Sequence, residues 1–349
     1  MNLDVVLKEF GIEGYSTKTF GSGLINNTWS VEDDSGGKEF ILQRINQNIF
    51  KSPDDIAFNI RLIADHLQQS FQSTLSSQTP GDKYLFTIPL QTKEGKDLVK
   101  TVDGYFRMFP FIKNSHTIDV VQKPEQAYEA AKQFGKFTKI LSGIEASTLK
   151  ITLPHFHDLS LRYKQFEEAL QNGNKQRIQN SKDVINSIQQ QQNIVTEFEK
   201  IKLDPRFKLR ITHHDTKISN VLFNEKGEGI CVIDLDTVMP GYFISDVGDM
   251  MRTYLSPVSE EEKDLSKIEI RKDFYKAIIN GYQSEMEDEL SETERKYFLY
   301  AGKFMIYMQA LRFITDHLND DIYYGAKYEG HNYIRAKNQI TLLQRLQEE

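Results

Sequence analysis

The chain has a single cysteine in 349 residues, Cys231, set in the apolar run Gly229-Ile230-Cys231-Val232-Ile233 that reads as a buried strand. A disulfide framework is excluded, and a reducing, cytoplasmic setting is expected. Positive charge is also short: 43 Lys and Arg against 50 Asp and Glu leave a formal net charge of −7. There is no electrostatic footprint for nucleic acid, although a few basic groups and a divalent cation can still hold a nucleotide. No apolar run approaches the roughly 20 residues of a membrane span. The stretch Met1-Asn2-Leu3-Asp4-Val5-Val6-Leu7-Lys8 lacks the basic and apolar regions of a secretory leader, and no repeat recurs at a fixed period. What remains is 39% hydrophobic and 27% charged, a globular composition with length for roughly two domains.

Residues 1 to about 110 read as strands with one helix. Asn26–Val31 and Lys38–Ile45 flank the turn Asp33-Asp34-Ser35-Gly36-Gly37 and form a hairpin. Ser52-Pro53-Asp54-Asp55 is a helix start, followed by Ile56, Ile60, Ile63 and Leu67 at helical spacing. Strands are expected at Tyr84–Leu90 and Tyr105–Phe109, then a connector at Phe111-Ile112-Lys113-Asn114. Beyond it the pattern turns helical: Ala127–Leu141, Leu161–Leu170, Gln176–Phe198, Ile270–Met286, Glu292–Leu318 and His331–Leu346. Gln189-Gln190-Gln191-Gln192 reads as a solvated helix face, because Val184, Ile185 and Ile188 run beside it.

The sharpest pattern is His213-His214-Asp215-Thr216-Lys217-Ile218-Ser219-Asn220, followed by Val232-Ile233-Asp234-Leu235-Asp236. An acid five positions before an amide spans a short loop, so the carboxylate can orient an attacking hydroxyl while the amide oxygen reaches a metal ion. After a short hairpin, a β-branched run returns a second carboxylate that can hold Mg²⁺. The set reads as phosphoryl transfer from a metal-bound nucleoside triphosphate. Asp234 and Asp236 lie two apart, so an extended chain puts both on one face with Leu235 in the core. Asp234 would then serve the metal and Asp236 the substrate hydroxyls.

The remaining candidates are weaker patterns. Gly21 and Gly23 precede the first hairpin, where backbone N–H groups can cover phosphates; by themselves they read as a turn. Asn26 and Thr28 share a strand face and are candidate nucleotide or substrate contacts. Arg44 is the candidate cation for the phosphates, since Phe40, Leu42 and Arg44 share a face; a register shift of one would exchange it for Gln43. The helix after Pro53 has no glutamate to pair with it, leaving Asn59 as a substitute. His155, His157, His213 and His214 admit a zinc-hydrolase reading, but it leaves Asn220 and Asp234 unexplained. His213 is instead expected in the core, and His157-Asp158 at a helix cap. Asp246 follows Asp234 by only twelve positions (246 − 234), and no Ala-Pro-Glu segment for docking a polypeptide intervenes. A small-molecule substrate is expected.

At these residues the sequence resembles the aminoglycoside phosphotransferase superfamily, which also includes choline and homoserine kinases. Within it the chain is similar to the N-acetylhexosamine 1-kinase branch, through Gly21-Ser22-Gly23-Leu24-Ile25-Asn26-Asn27-Thr28, Leu42-Gln43-Arg44-Ile45-Asn46 and Asp234-Leu235-Asp236-Thr237-Val238-Met239-Pro240-Gly241. Arg312-Phe313-Ile314-Thr315-Asp316-His317-Leu318-Asn319 and Tyr323-Tyr324 belong to the same pattern. Leu24 departs from it: a histidine often stands there, and its loss removes a possible sugar contact.

The resemblance implies an α+β, two-lobed protein-kinase-like fold, with a small β-rich lobe over 1–112 and a larger helical lobe over 113–349. It implies ATP, Mg²⁺ and transfer to the anomeric hydroxyl of GlcNAc or GalNAc. Asp215 would be the catalytic base, Asn220 and Asp234 the metal ligands, and Arg312 and Tyr323 substrate contacts. Arg312 lies on an otherwise apolar helix (Phe304, Tyr307, Met308, Leu311), where a buried arginine needs an acceptor; a structural salt bridge to Asp316 is the alternative to a substrate contact. Two alternatives stand beside the sugar kinase: a kinase of another small alcohol (another sugar, an aminoglycoside, choline or a homoserine-like acceptor), and a non-catalytic nucleotide-binding pseudokinase. No nucleic-acid or membrane partner is expected, and the sequence is silent on oligomeric state.

Overall fold

Alternating side chains on either side of a Gly-rich turn make an antiparallel hairpin, and in the computed structural model it nucleates a five-stranded sheet. The structure describes residues 1–21, 25–74 and 86–348, in two compact units. The first comprises Met1–Thr117, Ile140–Pro154 and Asn220–Pro240. Its sheet contains β1 (Ser16–Thr19), β2 (Asn27–Glu32), β3 (Lys38–Arg44), β4 (Val99–Thr101) and β5 (Gly104–Pro110), in the spatial order β1-β2-β3-β5-β4.

Register decides which side chains share a face. Trp29 pairs with Leu42, Leu42 with Met108 and Arg44 with Phe106. This face buries Val31, Leu42, Phe106 and Met108 against Val6, Leu7 and Phe10, carried by or next to a short helix, α1 (Leu3–Glu9). Thr28, Gln43 and Arg107 pair across the opposite face. The helix α1 was not expected from the sequence; at seven residues it is too short for a clear apolar period. The helix at Pro53 forms as expected: α2 (Pro53–Thr74) buries Ile56, Ile60, Ile63 and Leu67. The strand expected at Tyr84–Leu90 does not form where it is described; Tyr84 and Leu85 lie outside the described residues, and Leu90 makes an isolated bridge to Met108.

The second unit comprises Ile118–Lys139, His155–Ser219 and Gly241–Glu349 and is mainly helical. Its helices are α3 (Pro124–Ile140), α4 (Leu159–Asn172), α5 (Lys175–Asn180), α6 (Lys182–Gln190), α7 (Asn193–Leu203), α8 (Phe243–Tyr254), α9 (Lys272–Met286), α10 (Glu292–Arg295), α11 (Phe298–Leu318) and α12 (His331–Gln347). Asp158 caps α4 by accepting from Leu161 N (3.1 Å). The single helix expected over Gln176–Phe198 is three, since Ser181 (φ −108°, ψ 17°) and Gln191 (φ −101°, ψ 14°) leave helical geometry. Each break lets the next segment bury its own side chains, Val184 and Ile188 in α6, Ile194 and Phe198 in α7. Glu292–Leu318 is likewise interrupted at Lys296 and Tyr297. Among the described residues no helix is long and apolar enough to cross a membrane.

Candidate active site

The loop His213–Lys217 is held by carboxylates from one face of α8. Asp246 accepts from His214 N (2.8 Å) and His213 N (3.0 Å), and Asp249 accepts from Thr216 N (2.9 Å). Thr216 returns a hydrogen bond from Oγ1 to Asp246 O (2.7 Å), while Tyr254 OH donates to Thr216 O (2.5 Å). These bonds bend the chain so that His214 takes a left-handed φ of 65°. Gly241 makes room for that bend, because a Cβ there would lie 2.4 Å from Thr212 Oγ1 and 2.5 Å from His214 Nε2. Asp215 is the loop acid left partly open, its side chain 26% exposed and ion-paired with Lys217 Nζ (2.9 Å).

Burial governs the electrostatics of these anchors. It pushes Asp246 up to about 6, against the pull of the two donating N–H groups and the His213 charge. Asp249 is also raised, first by burial and then by the Asp215 charge, although Arg252 opposes the shift. Arg252 holds Asp249 through Nε (3.1 Å) and Nη2 (2.9 Å) and reaches Glu260 (3.0 Å). From the sequence, Asp246 marked only the short spacing after Asp234. The spacing Asp246-x-x-Asp249 was the available sign that both acids share one helical face.

The four histidines do not gather in one group among the described residues. His213 packs edge-on against Phe134 (ring centroids 5.2 Å) and Phe137 (6.0 Å), as expected for a core residue. His155 bonds Asp158 (3.1 Å), and His157 meets His214 (5.2 Å).

In the first unit, Ile233 N donates to Asn220 O (2.9 Å), which brings the chain just before Asp234 alongside Asn220. The extended Asp234-Leu235-Asp236 segment expected from the sequence is corrected: Asp234 has φ 63° and starts a turn of 3-10 helix, Leu235–Thr237. A left-handed residue breaks the period of two, so the shared-face argument fails although Leu235 is buried. Asp236 accepts from Arg107 Nη1 and from Asn26 Nδ2 (2.7 Å), and Asn26 Oδ1 accepts from Asn46 N (3.0 Å). Arg107 also donates from Nε to Gln43 (3.0 Å). Gln43 thus occupies the face of Arg107 and Asp236, while Arg44 lies on the α1 side, bonded to Asn27 (2.7 Å). Thr28 accepts from Gln43 Nε2 (3.4 Å).

Asn59 does not partner Arg44. It donates to Lys150 O (2.8 Å) and Val238 O (3.0 Å) and fastens the segment after Asp236 to α2. Gly21 has φ 77°, which favours glycine; Gly23 and Leu24 lie outside the described residues.

Arg107 escaped the sequence reading because its role depends on pairing between strands far apart in the chain. Its pair with Asp236 is almost dry, the side chains 3% and 1% exposed. Arg107→Met is therefore expected to cost about 3–5 kcal/mol by stranding a buried carboxylate. Arg107→Met with Asp236→Leu should recover much of the loss. Thermal unfolding of the three proteins checks this, and equal stability of wild type and Arg107→Met would refute it.

A third group surrounds a cavity of about 820 Å³ in the second unit, lined by residues of α4, the end of α11 and the turn after it, among them Arg312 and Tyr323. The Arg312–Asp316 salt bridge weighed against a substrate contact is not among the ion pairs of the described residues. Asp316 instead accepts from Tyr323 N (2.7 Å), Tyr324 N (2.9 Å) and Asn332 Nδ2 (3.1 Å), fixing the turn. The Arg312 guanidinium lies 5.4 Å from the Tyr324 ring centroid and 5.9 Å from those of Tyr323 and Phe156. Phe156 stacks on His157 (4.5 Å), and His157 meets His214. A continuous run of rings therefore joins the cavity to the Asp215 loop.

A profile of the phosphotransferase enzyme family matches residues 16–290. Three solved structures share the fold. An aminoglycoside phosphotransferase from Alicyclobacillus acidocaldarius is 12% identical, with 96% of this chain and 92% of that one covered and a TM-score of 0.61. A spectinomycin phosphotransferase in complex with ADP and spectinomycin is 14% identical, with 99% and 98% covered and a TM-score of 0.60. A choline kinase from Cryptosporidium parvum is 13% identical, with 96% and 86% covered and a TM-score of 0.56. The likeness establishes the α+β, kinase-like fold, with its small antiparallel-sheet lobe and helical lobe. With the family profile spanning most of its length, the chain belongs to the phosphotransferase enzyme family and is a phosphotransferase with an alcohol group as acceptor.

Proposed function

We propose that the chain transfers the γ-phosphoryl group of ATP to the anomeric hydroxyl of an N-acetylhexosamine, GlcNAc or GalNAc, giving the sugar 1-phosphate. One observation carries the chemistry: α8 fixes the loop through two buried acids and leaves Asp215 partly open to receive a substrate. Asp215 orients the anomeric hydroxyl and takes up its proton as the bond to phosphorus forms. Lys217 lies beside it as a cation toward the transferred group. Asn220 and Asp234 suit Mg²⁺, since amide and carboxylate oxygens are hard donors and the Ile233 N to Asn220 O bond keeps the two stretches of chain side by side. When bound, Mg²⁺ neutralises charge on the phosphates. Gly21 and Gly23 would cover the nucleotide, with Asn26 and Thr28 at the base of that loop. Arg44, on the α1 side, would act at most at its edge.

The sugar assignment draws support from the branch resemblance and from the Arg312 cavity. Aromatic rings beside polar groups suit the apolar faces and hydroxyls of a sugar. A cationic amino alcohol would meet the Arg312 guanidinium there, beside the Tyr323 and Tyr324 rings and the acids Glu168, Asp316 and Asp320, so the acceptor panel decides between them. Incubation with ATP, Mg²⁺ and a panel of free sugars and amino alcohols tests the reading through ADP release. Release with N-acetylhexosamines is expected; release with amino alcohols alone would overturn the sugar assignment. ATP binding without transfer to any of them would point to a nucleotide sensor.

A further inference from the structure

α4 adds a second guanidinium to the cavity wall. Arg162 and Arg312 both line the cavity and converge on Phe156: Arg162 Nη2 donates to Phe156 O (3.5 Å) and His155 O (2.9 Å), and Arg312 lies over the Phe156 ring. Among the described residues neither forms an ion pair. The other hydrogen bond of Arg162 goes to Gln165 Oε1 (3.0 Å), and that of Arg312 to Gln309 Oε1 (3.3 Å). Arg162 Nε and Thr315 Oγ1, both from residues of the cavity wall, are buried without a hydrogen-bond partner.

The acids on the same wall are already engaged. Asp316 holds the Tyr323–Tyr324 turn, Asp320 accepts from Asn174 (2.8 Å) and pairs with Arg177 (3.5 Å), and Glu168 pairs with Lys164 (3.9 Å). The two guanidiniums thus keep donors that no acid of the wall takes up, although Glu168, Asp316 and Asp320 share that wall. Burial, and after it the neighbouring Arg312 charge, pulls Arg162 below the usual guanidinium range. Neighbouring like charges are costly where one of them is largely out of water unless an anion compensates them, and the guanidinium fork matches carboxylate and phosphate oxygens.

We propose that Arg162 and Arg312 form an anion subsite, so that the acceptor is an N-acetylhexosamine bearing a carboxylate, phosphate or sulfate away from its anomeric carbon. The substrate class rests on the sugar-kinase reading above; the anion subsite does not. At about 820 Å³ the cavity has room for a substituted sugar. The ring run from His214 to Phe156 links the subsite to the loop that acts on the anomeric hydroxyl.

The test compares kcat/KM for GlcNAc, its 6-phosphate, its 6-sulfate and its 3-O-lactyl ether at fixed ionic strength, in the wild type and in Arg162→Gln. At least one anionic acceptor should exceed GlcNAc by about tenfold or more, and the arms show which anion is read. In Arg162→Gln that ratio should fall to about threefold or less, with Arg162→Lys between. A wild type that favours GlcNAc, or a preference that survives Arg162→Gln, overturns the proposal. Calorimetric binding of the same sugars separates the two readings. Anion-dependent binding lost in Arg162→Gln, without any turnover, upholds the subsite and sinks the sugar kinase. Absence of binding to every anionic sugar overturns the subsite.

Discussion

Asp215→Asn is expected to lower turnover by on the order of 10³-fold while nucleotide affinity changes by less than about threefold. The amide keeps the size of the side chain and can still accept a hydrogen bond, but it cannot take up the proton of the attacking hydroxyl. Its loop should persist, because the bonds that fix it run from His213 N, His214 N and Thr216 to Asp246 and Asp249 and do not use the Asp215 carboxylate. The Lys217 pair is partly exposed, so its loss should cost little stability. Steady-state kinetics with ADP titration of the same protein provide the check. A variant within tenfold of wild type would remove Asp215 from the chemistry.

Asp246→Ala should have the largest effect on the fold of the site. It leaves two buried N–H groups, those of His213 and His214, without an acceptor. The expected cost is about 3–5 kcal/mol, with a fall in melting temperature of roughly 5–10 °C and turnover reduced on the order of 10²-fold. The cost should depend on pH in a definite direction. In the folded protein Asp246 keeps its proton up to about pH 6, whereas an unfolded aspartate releases it near 3.8. The folded state therefore binds more protons between those values. The linked stabilisation is full below about 3.8 and is lost as pH rises through about 6. Between about pH 8 and about pH 5 the gap between wild type and Asp246→Ala should widen by about 1.4 kcal/mol. Denaturant unfolding at the two pH values measures it; a gap that narrows on acidification would contradict the placement of Asp246.

Local pattern carried much of this architecture. Pro53 with two following acids, and isoleucines at helical spacing, specified α2 because capping and burial act within one segment. Asp215, Asn220 and Asp234 stood out because their spacing survives without knowledge of the fold; Asn220 ends one turn of 3-10 helix and Asp234 precedes another. Features set by distant partners were not legible. Arg107 meets Asp236 across 129 positions, and no local period announces such a pair. The left-handed Asp234 also defeated a period-two argument that is sound only for extended chain. Arg312 and Asp316 sit one turn apart, yet Asp316 is drawn to the backbone of Tyr323 and Tyr324. A turn that has to be built competes for that carboxylate, and helix spacing alone does not reveal it.

The assignment of Cys231 was simpler. Burial pushes its thiol up to about 12, so it remains a packed, neutral side chain at physiological pH.

Transfer to an anomeric hydroxyl is the central claim, and a matched pair of acceptors tests it most directly. With ATP and Mg²⁺, free GlcNAc or GalNAc should release ADP and yield a product whose phosphorus couples to the anomeric proton. The methyl glycoside of the same sugar, with that hydroxyl blocked, should release none above background. Equal ADP release from the methyl glycoside, or phosphate found on another carbon, would contradict the account.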